Sequence, residues 1–109
     1  MLGVSSPAHA TIYPRFAYAA NYIDGTISIY TVNADTGQLR HNGYVAAGTN
    51  PNSVTVDPLG RFAYAANHIS NDISVYTIDQ STGALTAGTS ATVDAGTQPA
   101  SVTTTGAIQ

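Results

Sequence analysis

The segment Arg15–Leu39, RFAYAANYIDGTISIYTVNADTGQL, returns as Arg61–Leu85, RFAYAANHISNDISVYTIDQSTGAL, at a constant offset of 46, with no gap and 15 of 25 positions identical. A second pairing extends the repeat: AAGTNPNSVTV at 46–56 matches DAGTQPASVTT at 94–104 at an offset of 48, the two extra residues falling near Thr89–Val93. A degenerate third copy opens the chain, where Pro7–Pro14 (PAHATIYP) resembles Pro51–Pro58 (PNSVTVDP). Self-similarity at a period of about 20–50 residues restricts a chain to solenoids, propellers or arrays, because one unit cannot bury its apolar surface alone and must stack on its neighbours.

Within the period the signals are those of strands. Tyr, Val, Ile and Thr are abundant and favour a pleated surface. In the second repeat the pattern predicts four strands: Ser53–Asp57, Arg61–Asn67, Asp72–Ile78 and about Ala84–Val93. Asp57-Pro58-Leu59-Gly60 has Pro and Gly where a type I turn wants them, and Asp79–Gly83 ends on the residue that takes a left-handed conformation most easily. In the first repeat Asp24-Gly25 and Asn33–Gly37 play the same parts.

The alternation within each strand gives two uncharged faces. Phe62, Tyr64 and Ala66 lie on one side of the second strand and Ala63, Ala65 and Asn67 on the other; Ile73, Val75 and Thr77 oppose Ser74, Tyr76 and Ile78 on the third. A sheet without a wet face needs a neighbour on each side. Four strands per period of 46 residues, stacked face to face, describe the blades of a β-propeller. The fold expected is therefore all-β, with about two four-stranded antiparallel blades and an extra innermost strand. Residues 1–14 are read as a degenerate innermost strand of the first blade, 15–50 as its remainder, 51–96 as the second blade and 97–109 as a terminal innermost strand.

The pattern P-x-x-V-x-V-D-P-x-G-R-F-A-Y-A-A-N, D-I-S-V-Y-x-I-D and T-G-x-L resembles the YVTN-type repeat of the seven-bladed, lactonase-like (6-phosphogluconolactonase-like) propellers. The resemblance runs from about Pro7 to Thr104. It implies the propeller fold, a bacterial protein of periplasm, surface or cytoplasm, and a superfamily that includes sugar-lactone hydrolases. Seven blades at this period need on the order of 300 residues, and after Ser101-Val102-Thr103 the D-P-x-G-R element does not return. The expectation is a C-terminal fragment of such a propeller, which awaits its missing blades. The rival is a short protomer that self-associates into an oligomer, three copies giving a six-bladed ring.

Composition narrows the function. The chain has no Lys, Glu, Cys or Trp, its net charge is −3, and Arg15, Arg40 and Arg61 are scattered. Nucleic acid is not an expected partner, since no basic patch can be assembled. No apolar run reaches the roughly 20 residues of a membrane span, and the N-terminus lacks the pattern of a signal peptide. There is no P-loop, no dinucleotide fingerprint and no G-x-S-x-G elbow, so no cofactor and no metal is expected.

Asp57 and Asp79 read as turn residues. Arg15 and Arg61, like Asn21 and Asn67, recur at one blade position and read as architecture. His41 falls on an outer strand. The candidates for ligand binding are the G-T-x-P loops 48–53 and 96–101, which lead into innermost strands and so rim the channel: Asn50, Asn52, Ser53, Gln98 and Ser101, with His9 and His68 beside them. The expected function is a non-catalytic scaffold whose channel mouth takes a small molecule or protein once a ring is complete. The alternative is a piece of a lactonase-like enzyme, and no position here matches a lactonase active-site motif.

Overall fold

The computed structural model of the chain describes residues 15–106, apart from the side chains of 89 and 90. Seven strands follow one another: β1 (Phe16–Asn21), β2 (Thr26–Val32), β3 (Leu39–Ala46), β4 (Pro51–Val56), β5 (Phe62–Asn67), β6 (Asp72–Ile78) and β7 (Leu85–Asp94). They form two antiparallel meanders, β1-β2-β3 and β4-β5-β6-β7. The strands read from the second repeat fall within two residues of β4 to β7. The innermost strand expected in residues 1–14 lies outside the described residues.

Residues 97–109 are expected as a terminal innermost strand. Residues 101–106 form no strand ladder. They run beside β4, where the Val102 N–H reaches Ser53 Oγ at 3.4 Å and the Thr104 hydroxyl donates to the Val56 carbonyl at 2.9 Å. An innermost strand pairs with the second strand of its own blade, and among the described residues none follows it.

The turns work as their residues require. The Asp57 carboxylate accepts from the Arg61 and Phe62 N–H groups at 2.6 and 3.1 Å, and the Gly60 N–H closes the turn on the Asp57 carbonyl. Slight desolvation opposes ionisation of Asp57, and the bonds from Phe62 and Arg61 outweigh it and hold its pKa below the usual carboxylate value. Asp79 is engaged by the Ser81 and Thr82 N–H groups, and Asn33 does the same in the first blade for Asp35 and Thr36. Asp57→Ala is expected to cost about 1–2 kcal/mol, because it orphans two N–H groups that a charged acceptor now serves. A urea titration checks it. Since the folded pKa is depressed, the Asp57 contribution is present above pH ~4 and is lost as pH falls through the folded value.

The core is the joint between the two sheets. Ile27 and Ile29 of β2 are buried against Ala63, Ala65, Tyr76, Ile78 and Leu85 of the second sheet. Each isoleucine contributes about 1.5–3 kcal/mol by leaving water. Two hydroxyls lock the joint from opposite sides: Tyr18 donates to the Gly83 carbonyl and Tyr76 to the Ala46 carbonyl, each at 2.7 Å.

Burial pushes the Tyr18 phenol up to about 12. A raised folded pKa means that its contribution is complete below pH ~10, the unfolded value, and is lost as pH rises toward ~12. The chain should therefore lose stability across that alkaline window, and Tyr18→Phe should flatten the loss; thermal melts from pH 9 upward measure it. An unchanged slope in the variant would remove Tyr18 as the cause.

Candidate functional site

The loops leading into innermost strands gather at one end of the sheets, and a buried asparagine organises them. Asn67 closes β5 with no exposed surface. Its Nδ2 donates to Asp72 Oδ1 and to Ser74 Oγ, both at 2.8 Å, and its Oδ1 accepts from the Gly48 N–H at 3.1 Å. Ser70 joins the same cluster: its hydroxyl donates to Asp72 Oδ1 at 2.9 Å and accepts from the Thr49 N–H at 3.0 Å. Gly48 is required here, because a Cβ would stand 2.6 Å from Asn67 Cγ. The G-T-x-P loop is thus strapped down before it enters β4.

The strap carries the predicted residues to the surface. Asn50 takes a left-handed conformation (φ 57°), its Nδ2 donates to the Tyr22 carbonyl at 3.0 Å, and its own carbonyl accepts from the His68 N–H at 2.9 Å. The Asn52 carboxamide sits 3.4 Å from His68 Nδ1. With its nitrogen turned to the Ala66 and Ala100 carbonyls it donates to both, at 3.2 and 3.3 Å. The His68 ring tilts against Tyr22, with centroids 6.1 Å apart. Asn50, Asn52 and His68 therefore meet in one patch with Tyr22, which is not among the residues expected from the sequence. Its signal was alignment with His68 at the repeat offset.

The other candidates are placed differently. Ser53 faces residues 101–104 and accepts from Val102. Gln98 repeats the left-handed turn of Asn50 (φ 52°), and its N–H donates to Asn71 Oδ1 at 2.7 Å. Ser101 is exposed beyond it. His9 lies outside the described residues.

At the opposite end, a cleft of about 330 Å³ opens between the sheets, with Arg15, Tyr18, Val56, Leu59, Ile78 and Gln80 in its walls. The Arg15 guanidinium lies 5.0 Å over the Phe16 ring, and Arg61 lies 5.3 Å over Phe62 in the second blade. Arg61 also meets Asp57 at 3.4 Å. The same stacking in each copy marks these arginines as blade architecture. Among the described residues no three His or Asp side chains gather as a metal site would need.

A family profile described as "Lactonase, 7-bladed beta-propeller" matches residues 5–103. No curated protein matches the chain. Among solved structures, the chain is similar to a candidate 6-phosphogluconolactonase of Bacteroides uniformis ATCC 8492, at 31% identity and a TM-score of 0.72 over 79% of this chain and 25% of that one. A candidate 6-phosphogluconolactonase of Bacteroides fragilis NCTC 9343 matches at 26% identity and a TM-score of 0.73, over 80% of this chain and 24% of that one. The periplasmic gluconolactonase of Pseudomonas aeruginosa matches at 28% identity and a TM-score of 0.68, over 76% and 23%. The chain spans about a quarter of the length of these proteins.

Proposed function

This chain belongs to the lactonase family of seven-bladed β-propellers, and we propose that its two blades are a non-catalytic scaffold that presents the patch of Tyr22, Asn50, Asn52 and His68 to a ligand at the mouth of a completed ring. The observation that carries this reading is the split between what the repeats keep and what they vary. The joint and turn residues recur almost unchanged: Asn21 and Asn67, Tyr18 and Tyr64, Gly37 and Gly83. The patch differs between copies, with Tyr22 against His68, Asn50 against Gln98 and Asn52 against Ala100. The carboxylates of Asp57, Asp72 and Asp79 are engaged in backbone and side-chain hydrogen bonds that build the blade, which leaves them poorly placed for acid or base work.

A second reading is sugar-lactone hydrolysis by the whole ring, favoured by the names of three similar structures, two candidate 6-phosphogluconolactonases and one periplasmic gluconolactonase. The patch offers carboxamides, an imidazole and an aromatic ring, groups suited to polyol hydroxyls.

One experiment tests the first reading and can favour the second. Gluconate is titrated into the chain while the His68 ring and Asn52 amide resonances are followed, and glucono-1,5-lactone hydrolysis is timed against the spontaneous rate. The scaffold reading expects shifts confined to the patch and an unchanged hydrolysis rate. Acceleration over the spontaneous rate overturns it in favour of hydrolysis. Absence of any shift in the patch, or shifts that survive replacement of Asn50 and Asn52, removes the patch as the binding surface.

A further inference from the structure

We infer that the chain carries, on its two outer faces, both halves of its own internal blade joint, and that a second copy of the chain docks there. The internal joint has an outgoing half, made by Phe16, Tyr18, Ala20, Ile27, Ile29 and Val45 of the first sheet. At the repeat offsets the far face of the second sheet carries Phe62, Tyr64, Ala66, Ile73, Val75 and Val93, the same residues but for one Ile-to-Val change. The incoming half is Ala63, Ala65, Tyr76, Ile78, Gly83 and Leu85. The near face of the first sheet carries Ala17, Ala19, Tyr30, Val32, Gly37 and Leu39, again with one Ile-to-Val change.

At three positions exposure separates the engaged halves from the open ones, although Ala66 on the far face is itself buried. Leu85, inside the joint, is 7% exposed, and its counterpart Leu39 is 52% exposed. Val45 packs against the core, and its counterpart Val93 is 53% exposed. A Cβ on Gly83 would stand 2.5 Å from Phe16, whereas one on Gly37 would meet nothing within 4 Å. The half-joints match each other and do not match themselves, so the contact is head-to-tail.

In the docked pair, Phe62 covers Gly37 of a second copy and Tyr64 donates to that Gly37 carbonyl, as Phe16 and Tyr18 do at Gly83. Tyr30 of the second copy donates to the Asp94 carbonyl, as Tyr76 does to Ala46. Repetition of a head-to-tail contact either closes a ring or makes a fibre. Two-bladed copies close at an even number of blades, so a ring of six or eight, within the usual range of about four to eight, departs from the seven that the family profile describes.

The test is light scattering on the 109-residue chain at tens of micromolar, with two variants. Wild type is expected as a discrete closed oligomer of three copies, and a tetramer would support the same joint. Leu39→Arg, on the incoming face, and Val93→Arg, on the outgoing face, should each be monomeric, with far-UV dichroism reporting that the blades remain folded. Mixed one to one, they should form a heterodimer and nothing larger, because one intact half of each kind is left.

Should either arginine prevent folding, Tyr30→Phe and Tyr64→Phe each delete one joint hydroxyl without loss of packing, and each should weaken assembly about fivefold or more. A folded wild-type monomer would assign the two faces to further blades of a longer chain and overturn the inference. So would aggregate of undefined mass, oligomers indifferent to both arginines, or a mixture that stays monomeric.

Discussion

Asn67→Ala is expected to lower the unfolding free energy by about 3–4 kcal/mol, the largest loss expected of a single polar side chain among the described residues. The side chain is fully buried and satisfies three groups at once: Asp72, Ser74 and the Gly48 N–H. Alanine leaves the Gly48 N–H without its acceptor and the Asp72 carboxylate without one donor, at a depth where water is a poor substitute, and each orphaned buried group costs about 1–3 kcal/mol.

Asn21 is the matching residue of the first blade and donates in the same way to Thr26 and Ser28, at 3.0 and 2.7 Å, but it is only half-buried. Asn21→Ala should cost about 1 kcal/mol, since water can take over part of the network. Urea unfolding of the two variants side by side decides the matter. Losses that agree within about 0.5 kcal/mol would mean that burial at the strap is not what makes Asn67 matter.

Gly83→Ala is expected to cost about 3 kcal/mol through two separable causes. Gly83 is left-handed (φ 78°), which an alanine adopts at a cost of about 1–2 kcal/mol. Its Cβ would also stand 2.5 Å from Phe16 Cδ1, so the ring must leave the joint and the Tyr18 bond to the Gly83 carbonyl must stretch. Gly37 has the same backbone (φ 77°) and no neighbour within 4 Å, so Gly37→Ala should show the backbone cost alone. That comparison belongs in the Leu39→Arg background, where a second copy cannot supply a ring to Gly37. Once Phe16 is replaced by alanine, adding Gly83→Ala should likewise cost only the backbone part. Additive losses in that cycle would separate Gly83 from Phe16.

Much of the fold is legible because the repeat states it twice. A strand boundary uncertain in one copy is corrected by the other, and residues that recur on an otherwise apolar face, such as Asn67, announce a structural polar group. The family follows from the same residues, since the motif is made of the turns and joints that build a blade. What could not be read is the strap. Gly48 lies in a loop of ordinary composition, and only the approach of its backbone to Asn67 shows why no side chain fits there.

The innermost strand expected near Ser101 shows the opposite limit. Its sequence resembles β4 closely, a second strand to pair with it does not follow among the described residues, and the segment holds to β4 by single bonds from Val102 and Thr104. The patch was half legible. Asn50, Asn52 and His68 are legible from loop position, and Tyr22 joins them because the Asn50 side chain reaches across to the preceding blade.

The central claim, two blades stacked face to face through Tyr18, Tyr76 and the glycine turn, is tested most directly by NMR on the Leu39→Arg chain. Phe16 ring protons should show strong cross-relaxation to the Gly83 α-protons, which the ring current should move upfield, and the Tyr18 hydroxyl should be protected from exchange by its 2.7 Å bond to a carbonyl 65 residues away. Both signals together are the predicted result. Two well-formed sheets with no Phe16–Gly83 cross-peak would contradict the account.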